Sequence, residues 1–376
     1  MIDIVEVTDE IGLDLLEHEW RALADASEEC TPFQTFEWMS SWWRHQRRGQ
    51  LWILTAREQG ALVGILPLFI SRYHGLPLRR VSFLGTPVSD YHALLARPGR
   101  AADCRTAFFA HLAANERRWD VIDLPDLREG SALAESPLLP RLRVQLVHHR
   151  VCPFVPLGAT WEGYTATLGK NLRSRIGRQT RALSRQFAAE FDEVGPDELR
   201  AALEDLFYLH NRRWQKRGLR GAFSDRRIQR FHQDVARRFL ERGWLKLHRL
   251  RLDGKTRAAF YCFAHNRRVY YYLSGFDLTM ARYSLGTVLM AHAIGRSIVD
   301  GAREFDLLRG DETYKKDWKA AERSTLRLVI GKPRSLRSRL ALGVSWLERR
   351  VEREGSRLRN RLWGHKTRRN APAAAT

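Results

Sequence analysis

The sequence predicts a mixed α/β (α+β) protein built from two copies of one structural unit, with a basic helix at its C-terminal end. A pair of hairpin patterns carries the first half of that prediction. LWILTAREQGALVGILPLFISRY and WLKLHRLRLDGKTRAAFYCFAHNRRVYYYLSGF are apolar alternating runs around tight turns at Gln59-Gly60 and Asp253-Gly254. The flanks carry the second half. Helical stretches at 13–24 and 36–47 precede the first hairpin, and 198–216 and 226–242 precede the second. After each hairpin the chain reads strand, helix, strand: RRVSFLG, TAFFAHLAANE and WDVIDLP against VYYYLSG, TVLMAHAIGRSIV and REFDLL. The order β-α-α-β-β-β-α-β therefore occurs twice. It divides the chain into a first domain (1–155), a basic connecting helix (156–186), a second domain (187–331) and a basic amphipathic tail (332–376).

Charge sharpens this division. Of the net +21, +6 falls in the acid-free stretch holding Lys170, Arg173, Arg175, Arg178, Arg181 and Arg185, and +10 falls from Gly331 to the end. The connecting helix sets Tyr164, Leu168, Leu172, Ile176 and Leu183 at helical spacing and leaves its arginines on another face. In the tail, Leu336, Leu340, Val344, Leu347 and Val351 share one face. Such a helix can lie on an anionic membrane surface, dock on a partner, or pack on its own domain with its arginines in water; the last is the preferred expectation. The closing NAPAAAT reads as a disordered end. Basic segments of this kind suit RNA, anionic lipid or an acidic small substrate equally.

Cys30, Cys104, Cys152 and Cys262 are scattered, with no C-x-x-C pair. That argues against a disulfide framework or a zinc site, and no metal is expected. The start, MIDIVEVTDE, lacks the pattern of a secretory signal, and no apolar run approaches the roughly twenty residues of a membrane span. The expectation is a cytoplasmic protein, with membrane association open through the tail. No G-x-S-x-G, Walker loop or metal-ligand spacing is present.

One stretch points to a ligand. Between Arg268 and Trp318 a strand ends at Gly275 and a helix opens at Gly286-Thr287. The helix start aims unpaired amides at solvent, a geometry suited to phosphate. Amides of Leu285, Gly286 and Thr287 are the candidates, with Arg282 just before them. A second group is His210, with Arg213 and Trp214 on the same helix face, joined by Asp277 of SGFD. These can recognise an acidic or sugar-like substrate, or simply pack.

FQTFEWMSSWW, LVGILPLF, HNRRW, YYYLSGFD and above all EFDLLRGDETYKKDW resemble the GNAT-superfamily acyltransferases called CelD-like, associated with bacterial cellulose biosynthesis. The resemblance spans roughly residues 15–330, and the family is related to Fem-type transferases, which use aminoacyl-tRNA. It implies tandem GNAT-type domains, with acyl transfer from acetyl-CoA or another acyl-CoA to a small amine or amino sugar, in envelope or exopolysaccharide metabolism. By the same resemblance the strand through Ser274 and Gly275 polarises the acyl carbonyl and contributes to cofactor binding. Tyr314 becomes the general acid toward the leaving sulfur, Glu312 and Asp311 collect the amine proton, and Lys315 meets an anionic substrate. Arg282-Tyr283-Ser284-Leu285-Gly286-Thr287 departs from the usual Q/R-x-x-G-x-G/A loop in spacing and in its last residue. Three functions follow: an acyl-CoA-dependent N-acyltransferase, a Fem-like transferase whose basic interdomain helix binds tRNA, or a non-catalytic scaffold of a polysaccharide synthase. The second repeat is the expected seat of the chemistry, because the first has no counterpart of RGDETYKKDW. The sequence sets no oligomeric state.

Overall fold

Local chemistry forms the hairpins. Gln59 and Gly60 both take positive φ (50° and 81°), as do Asp253 and Gly254 (50° and 73°). Two consecutive left-handed residues twist the chain as the flanking strands require. The same occurs without glycine at Asn266 and Arg267 (48° and 56°). The computed structural model of the protein describes residues 2–369 except 28, 74, 136–138 and 217. The end expected to be disordered, 370–376, lies outside the described residues.

The first half runs β1 (Asp3–Val7), α1 (Glu10–Leu15), α2 (Glu17–Ala26), α3 (Phe36–Gln46), β2 (Gln50–Glu58), β3 (Ala61–Arg72), β4 (Arg79–Phe83), the short β5 (Leu95–Ala96), α4 (Ala101–Ala114), β6 (Val121–Arg128) and β7 (Arg143–Pro156). Two helices follow, α5 (Trp161–Thr167) and α6 (Lys170–Gln186). The second half repeats the order as β8 (Ala189–Glu193), α7 (Leu199–Gln215), α8 (Arg226–Glu241), β9 (Leu245–Leu252), β10 (Lys255–His265), β11 (Arg268–Phe276), α9 (Leu285–Val299), β12 (Glu304–Asp306), α10 (Thr313–Asp317) and β13 (Ala321–Gly331). The long α11 (Leu336–Arg369) closes the chain. The mixed α/β class and the duplication hold.

All thirteen strands join one sheet, ordered β1-β2-β3-β4-β6-β13-β7-β12-β11-β10-β9-β8, with β5 on β3. The order reads alike from both ends. β7 follows the first half in sequence, yet it pairs with β12 of the second half; β13 ends the second half and pairs with β6 of the first. The exchanged strands then pair antiparallel with each other from Ala321↔Phe154 to Gly331↔Arg143. Sequence spacing could not show this exchange, because either strand satisfies the same alternation on either neighbour.

Equivalent helices also meet. α3 packs on α8, where Trp38 touches the rings of Phe231 and Phe239 at centroid distances of 5.0 and 6.2 Å. Phe33 packs on Tyr270 and Tyr272. One apolar core therefore runs through both halves, and each aromatic pair adds about 0.5–1.5 kcal/mol beyond burial.

α11 departs from the expected packing. Leu336, Leu340, Leu347 and Val351 lie outward, 73%, 64%, 55% and 61% exposed, whereas Ser338, Ala341 and Ser345 are fully buried. Val344 alone of the expected face is partly covered. Small residues let the helix approach β6 and β13 closely: a Cβ on Gly331 would meet Leu342 Cδ1 at 2.7 Å.

Candidate active site

In the second half β11 and β12 run parallel but pair over only three residues, Arg268↔Glu304 to Tyr270↔Asp306. Beyond them β11 continues to Phe276 while the chain leaves β12 at once. A register shift between Tyr261 and Cys262 leaves Tyr272 as the extra residue of a bulge in β11. The divergence leaves a cavity of ≈ 150 Å³. Phe260, Tyr271 and Phe276 form its sheet side, Gly286, Thr287 and Met290 its α9 side, and Arg213 reaches in from α7. Leu172 and Arg175 of α6 and Tyr314, Asp317 and Trp318 of the α10 segment complete it.

Of the three expected catalytic residues, Tyr314 lines the cavity and Glu312 and Asp311 do not. The residue is 40% exposed, and its hydroxyl neighbours Tyr271, Glu312 and Arg213. Burial holds this phenol well above its ordinary range, so it stays protonated near neutrality. Tyr271, which sequence reasoning did not single out, shares the cavity. Its hydroxyl donates to Ser274 Oγ at 2.6 Å, and burial pushes its pKa up to about 12. Strand alternation alone would have placed Tyr271 on one face with Val269 and Leu273, and nothing local marks which face meets a cavity.

The remaining expectations divide. Ser274 is a hub: its Oγ accepts from Arg213 Nη1 at 3.3 Å and its carbonyl accepts from His210 Nδ1 at 2.8 Å. His210 Nε2 accepts the Ala222 amide at 3.3 Å, so both ring nitrogens are occupied. Burial lowers its pKa to about 4. His210 is a neutral strut between α7 and β11, not a substrate ligand or base. Trp214, one turn on, packs its ring 6.0 Å from that imidazole. Arg213 lies over Phe276 at 4.4 Å and faces the cavity.

Gly275 serves packing rather than ligand approach. A Cβ there would lie 2.7 Å from both His210 N and Leu209 Cβ of α7. Asp277 accepts from the Thr279 amide at 2.9 Å and pairs with Arg257 at 2.7 Å. Burial raises its pKa, but those hydrogen bonds outweigh it and hold the carboxyl low. With Arg212 and Tyr208 it borders a separate, open cleft of ≈ 900 Å³.

At the start of α9, the Leu285 and Gly286 amides have no acceptor among the described residues. Thr287 donates to Ser284 O at 2.8 Å, so of the three expected phosphate donors its amide is turned into the turn. Leu285 puts its side chain into the core. The first turn carries no acid. Arg282 lies over the Tyr283 ring and donates to its hydroxyl at 2.7 Å, away from the cavity lining. The α6 cations supply what the loop lacks. Lys170 and Arg175 join Lys316 and Lys319 around an open cleft of ≈ 440 Å³ that shares Leu172, Arg175 and Asp317 with the cavity.

Lys315 and the acids before it take other work. The Lys315 ammonium is buried and donates to the carbonyls of Leu307, Leu308, Arg309 and Gly310 at 2.9, 3.1, 3.1 and 3.2 Å, with Glu312 Oε2 at 3.0 Å. It fixes a turn in which Leu308 adopts φ 54° rather than meeting a substrate. Glu312 is half-exposed and tied to that ammonium. Asp311 faces a different cleft, between β7 and α11. The turn is also held by the first half: Tyr91 donates to Asp306 at 2.9 Å, and Arg309 pairs with Asp90 at 2.5 Å. Among the described residues no group of His, Cys, Asp or Glu is arranged to hold a metal.

Comparison with known proteins agrees with this geometry. Residues 170–316 match the model of the acetyltransferase (GNAT) domain. The match begins at α6, so the basic helix is part of the matched unit. Similar solved structures include FemX (10% identity, 87% of this chain and 96% of that chain, TM-score 0.60). They also include the C-terminal domain of a putative lysylphosphatidylglycerol synthetase from Agrobacterium fabrum (14%, 89% and 96%, 0.56). A conserved protein of unknown function from Bacteroides thetaiotaomicron is a third (11%, 87% and 100%, 0.57). At these identities the likeness is one of fold. Comparison with curated proteins by sequence gives no match. The stretch from α6 into α10, which supplies most of the cavity lining, is thus the part of the chain that matches a GNAT acetyltransferase domain.

Proposed function

We propose that this protein is an N-acyltransferase that carries an acyl group from acyl-CoA to a small amine or amino sugar. The observation that carries the reading is the ≈ 150 Å³ cavity, with Tyr314 on its wall and the α9 start beside it. A slender apolar arm bearing a thioester fits such a slot. The donor phosphates would meet the Leu285 and Gly286 amides and the cations of the adjoining α6 cleft. The amine nitrogen attacks the thioester carbon, the carbon–sulfur bond breaks, and the Tyr314 phenol gives its proton to the departing sulfur. The amine's surplus proton leaves through water, and the phenol is restored from solvent. A phenol kept protonated by burial suits the acid role. Titration of the protein with coenzyme A by calorimetry tests the donor: saturable binding that Arg175→Glu weakens supports it, and no binding at millimolar concentration sinks it.

One observation favours a second reading. None of the α6 cations Lys170, Arg175, Arg178, Arg181 and Arg185 pairs with an acid among the described residues. A row of uncommitted cations suits the backbone of an aminoacyl-tRNA in a Fem-like reaction. Five phosphate contacts would give a log affinity against log salt slope of about −4; a shallow slope returns the donor to coenzyme A.

A further inference from the structure

The structure assigns α11 as a membrane-docking element: we propose that its outward face seats this protein on an anionic lipid bilayer. The inference rests on the orientation of the helix and is independent of the reaction in the cavity.

An ordinary surface helix buries its apolar stripe. Here the reverse is seen. Leu336, Leu340, Leu347 and Val351 recur at one helical face and all point outward, and Trp346 beside them is 50% exposed. The stripe runs about 22 Å along the helix axis. The inward side is small and polar, and it is fastened. Ser345 Oγ donates to Asp123 at 3.0 Å, the carboxylate that Arg327 grips with two contacts of 2.6 Å. Ser338 Oγ accepts the Lys332 amide at 2.7 Å, and Glu348 faces Arg80 at 3.7 Å. Turning the stripe inward would take Ser345 from Asp123 and Glu348 from Arg327, and bring Leu side chains where Ser and Ala now pack. The orientation is therefore built in.

The flanks identify the occupant. Arg334 and Arg339 are exposed beside the stripe and have no acid partner among the described residues. The segment from Gly331 to the end carries +10. A second copy of the same face would meet equal charge, which opposes self-association. An anionic bilayer supplies both missing partners at once: acyl chains for the aliphatic stripe and headgroups for the arginines. Among the described residues no helix is long and apolar enough to cross a membrane, so the mode is lying on the surface.

Vesicle co-sedimentation of the full chain tests this. Vesicles of phosphatidylcholine and phosphatidylglycerol at 3:1 should carry the protein down at low salt, and pure phosphatidylcholine several-fold less. Leu340→Glu/Leu347→Glu changes only outward side chains, so it should keep the parent melting temperature while the partition coefficient falls at least tenfold. Arg334→Ala/Arg339→Ala should lower partition on the anionic vesicles alone. Equal partition of parent and Leu340→Glu/Leu347→Glu overturns the proposal, as does absence of parent binding to anionic vesicles. A dimer seen by ultracentrifugation that this variant dissociates also overturns it, by giving the stripe to a second copy.

Discussion

The two halves share one strand and helix order, yet where their parallel strands part the second holds a cavity and the described residues of the first are packed by their own chain. In the first half β4 and β6 pair at Arg80↔Val121 and Val81↔Ile122 and then diverge in the same way. The gap is filled by its own chain. His92 stacks on Phe83 at 4.6 Å and bridges to Leu127; burial lowers its pKa to about 3. The following helix is also shut to anions. Asp103 sits in its first turn, and Arg100 before it pairs with both Asp103 and Glu58. The filling segment then reaches across: Val88 O accepts from Tyr272, and Tyr91 and Asp90 hold Asp306 and Arg309. Of the two like scaffolds, the filled one braces the other. The open half builds its site with α6 and α10; between β6 and β7 the described residues of the first half form the short turn Ala132–Ala134.

Substitutions can break or sharpen this contrast. The largest effect is expected for Tyr314→Phe, which should lower acyl-transfer turnover by about 10²–10⁴-fold with little change in donor affinity. His92→Phe in the filled half should leave turnover unchanged; an equal loss there would move chemistry into the first half. Lys315→Met strands several carbonyls of the 307–310 turn and should cost about 3 kcal/mol in urea unfolding. An unchanged midpoint would show that the ammonium does not hold the turn. Gly275→Ala forces β11 from α7 and should cost about 1–3 kcal/mol, read as a drop in melting temperature. Arg175→Glu should weaken donor binding about tenfold by reversing one near charge, whereas Arg100→Glu, at the paired helix start, should leave donor binding as it is.

The smallest effect is one of pH. His210 is held to about 4 in the fold, below the ordinary 6.5, so the unfolded chain binds the extra proton between those values. Stability must therefore fall as pH drops from 6.5 to 4. His210→Gln should flatten that slope by up to about 1.4 kcal/mol per pH unit. An unaltered slope in denaturant titrations at several pH values would contradict the neutral strut.

Sequence made much of the site region legible and misjudged several parts. EFDLLRGDETYKKDW was marked as special, and Tyr314 does line the cavity. Yet Asp306, Arg309 and Lys315 within it serve as braces, since their partners (the Tyr91 phenol, the Asp90 carboxylate and the carbonyls of 307–310) are gathered only in the folded protein. Asp311, three residues from Tyr314, looks into another cleft. Arg175 and Tyr271 went unsingled, for a charge or a ring in a periodic pattern carries no mark of what lies opposite.

By itself the sequence determined what depends on neighbours along the chain. The left-handed turns at Gln59-Gly60 and Asp253-Gly254, the helix and strand periods, the repeat and the placing of positive charge all follow from local sterics and composition. Only the tertiary structure decided what depends on distant partners. It exchanged β7 and β13 between halves, filled one divergence and left the other open, and set the apolar face of α11 outward. In each case several arrangements satisfy the same local pattern, and the free energy of the whole core, with its buried ion pairs and close helix contacts, selects among them.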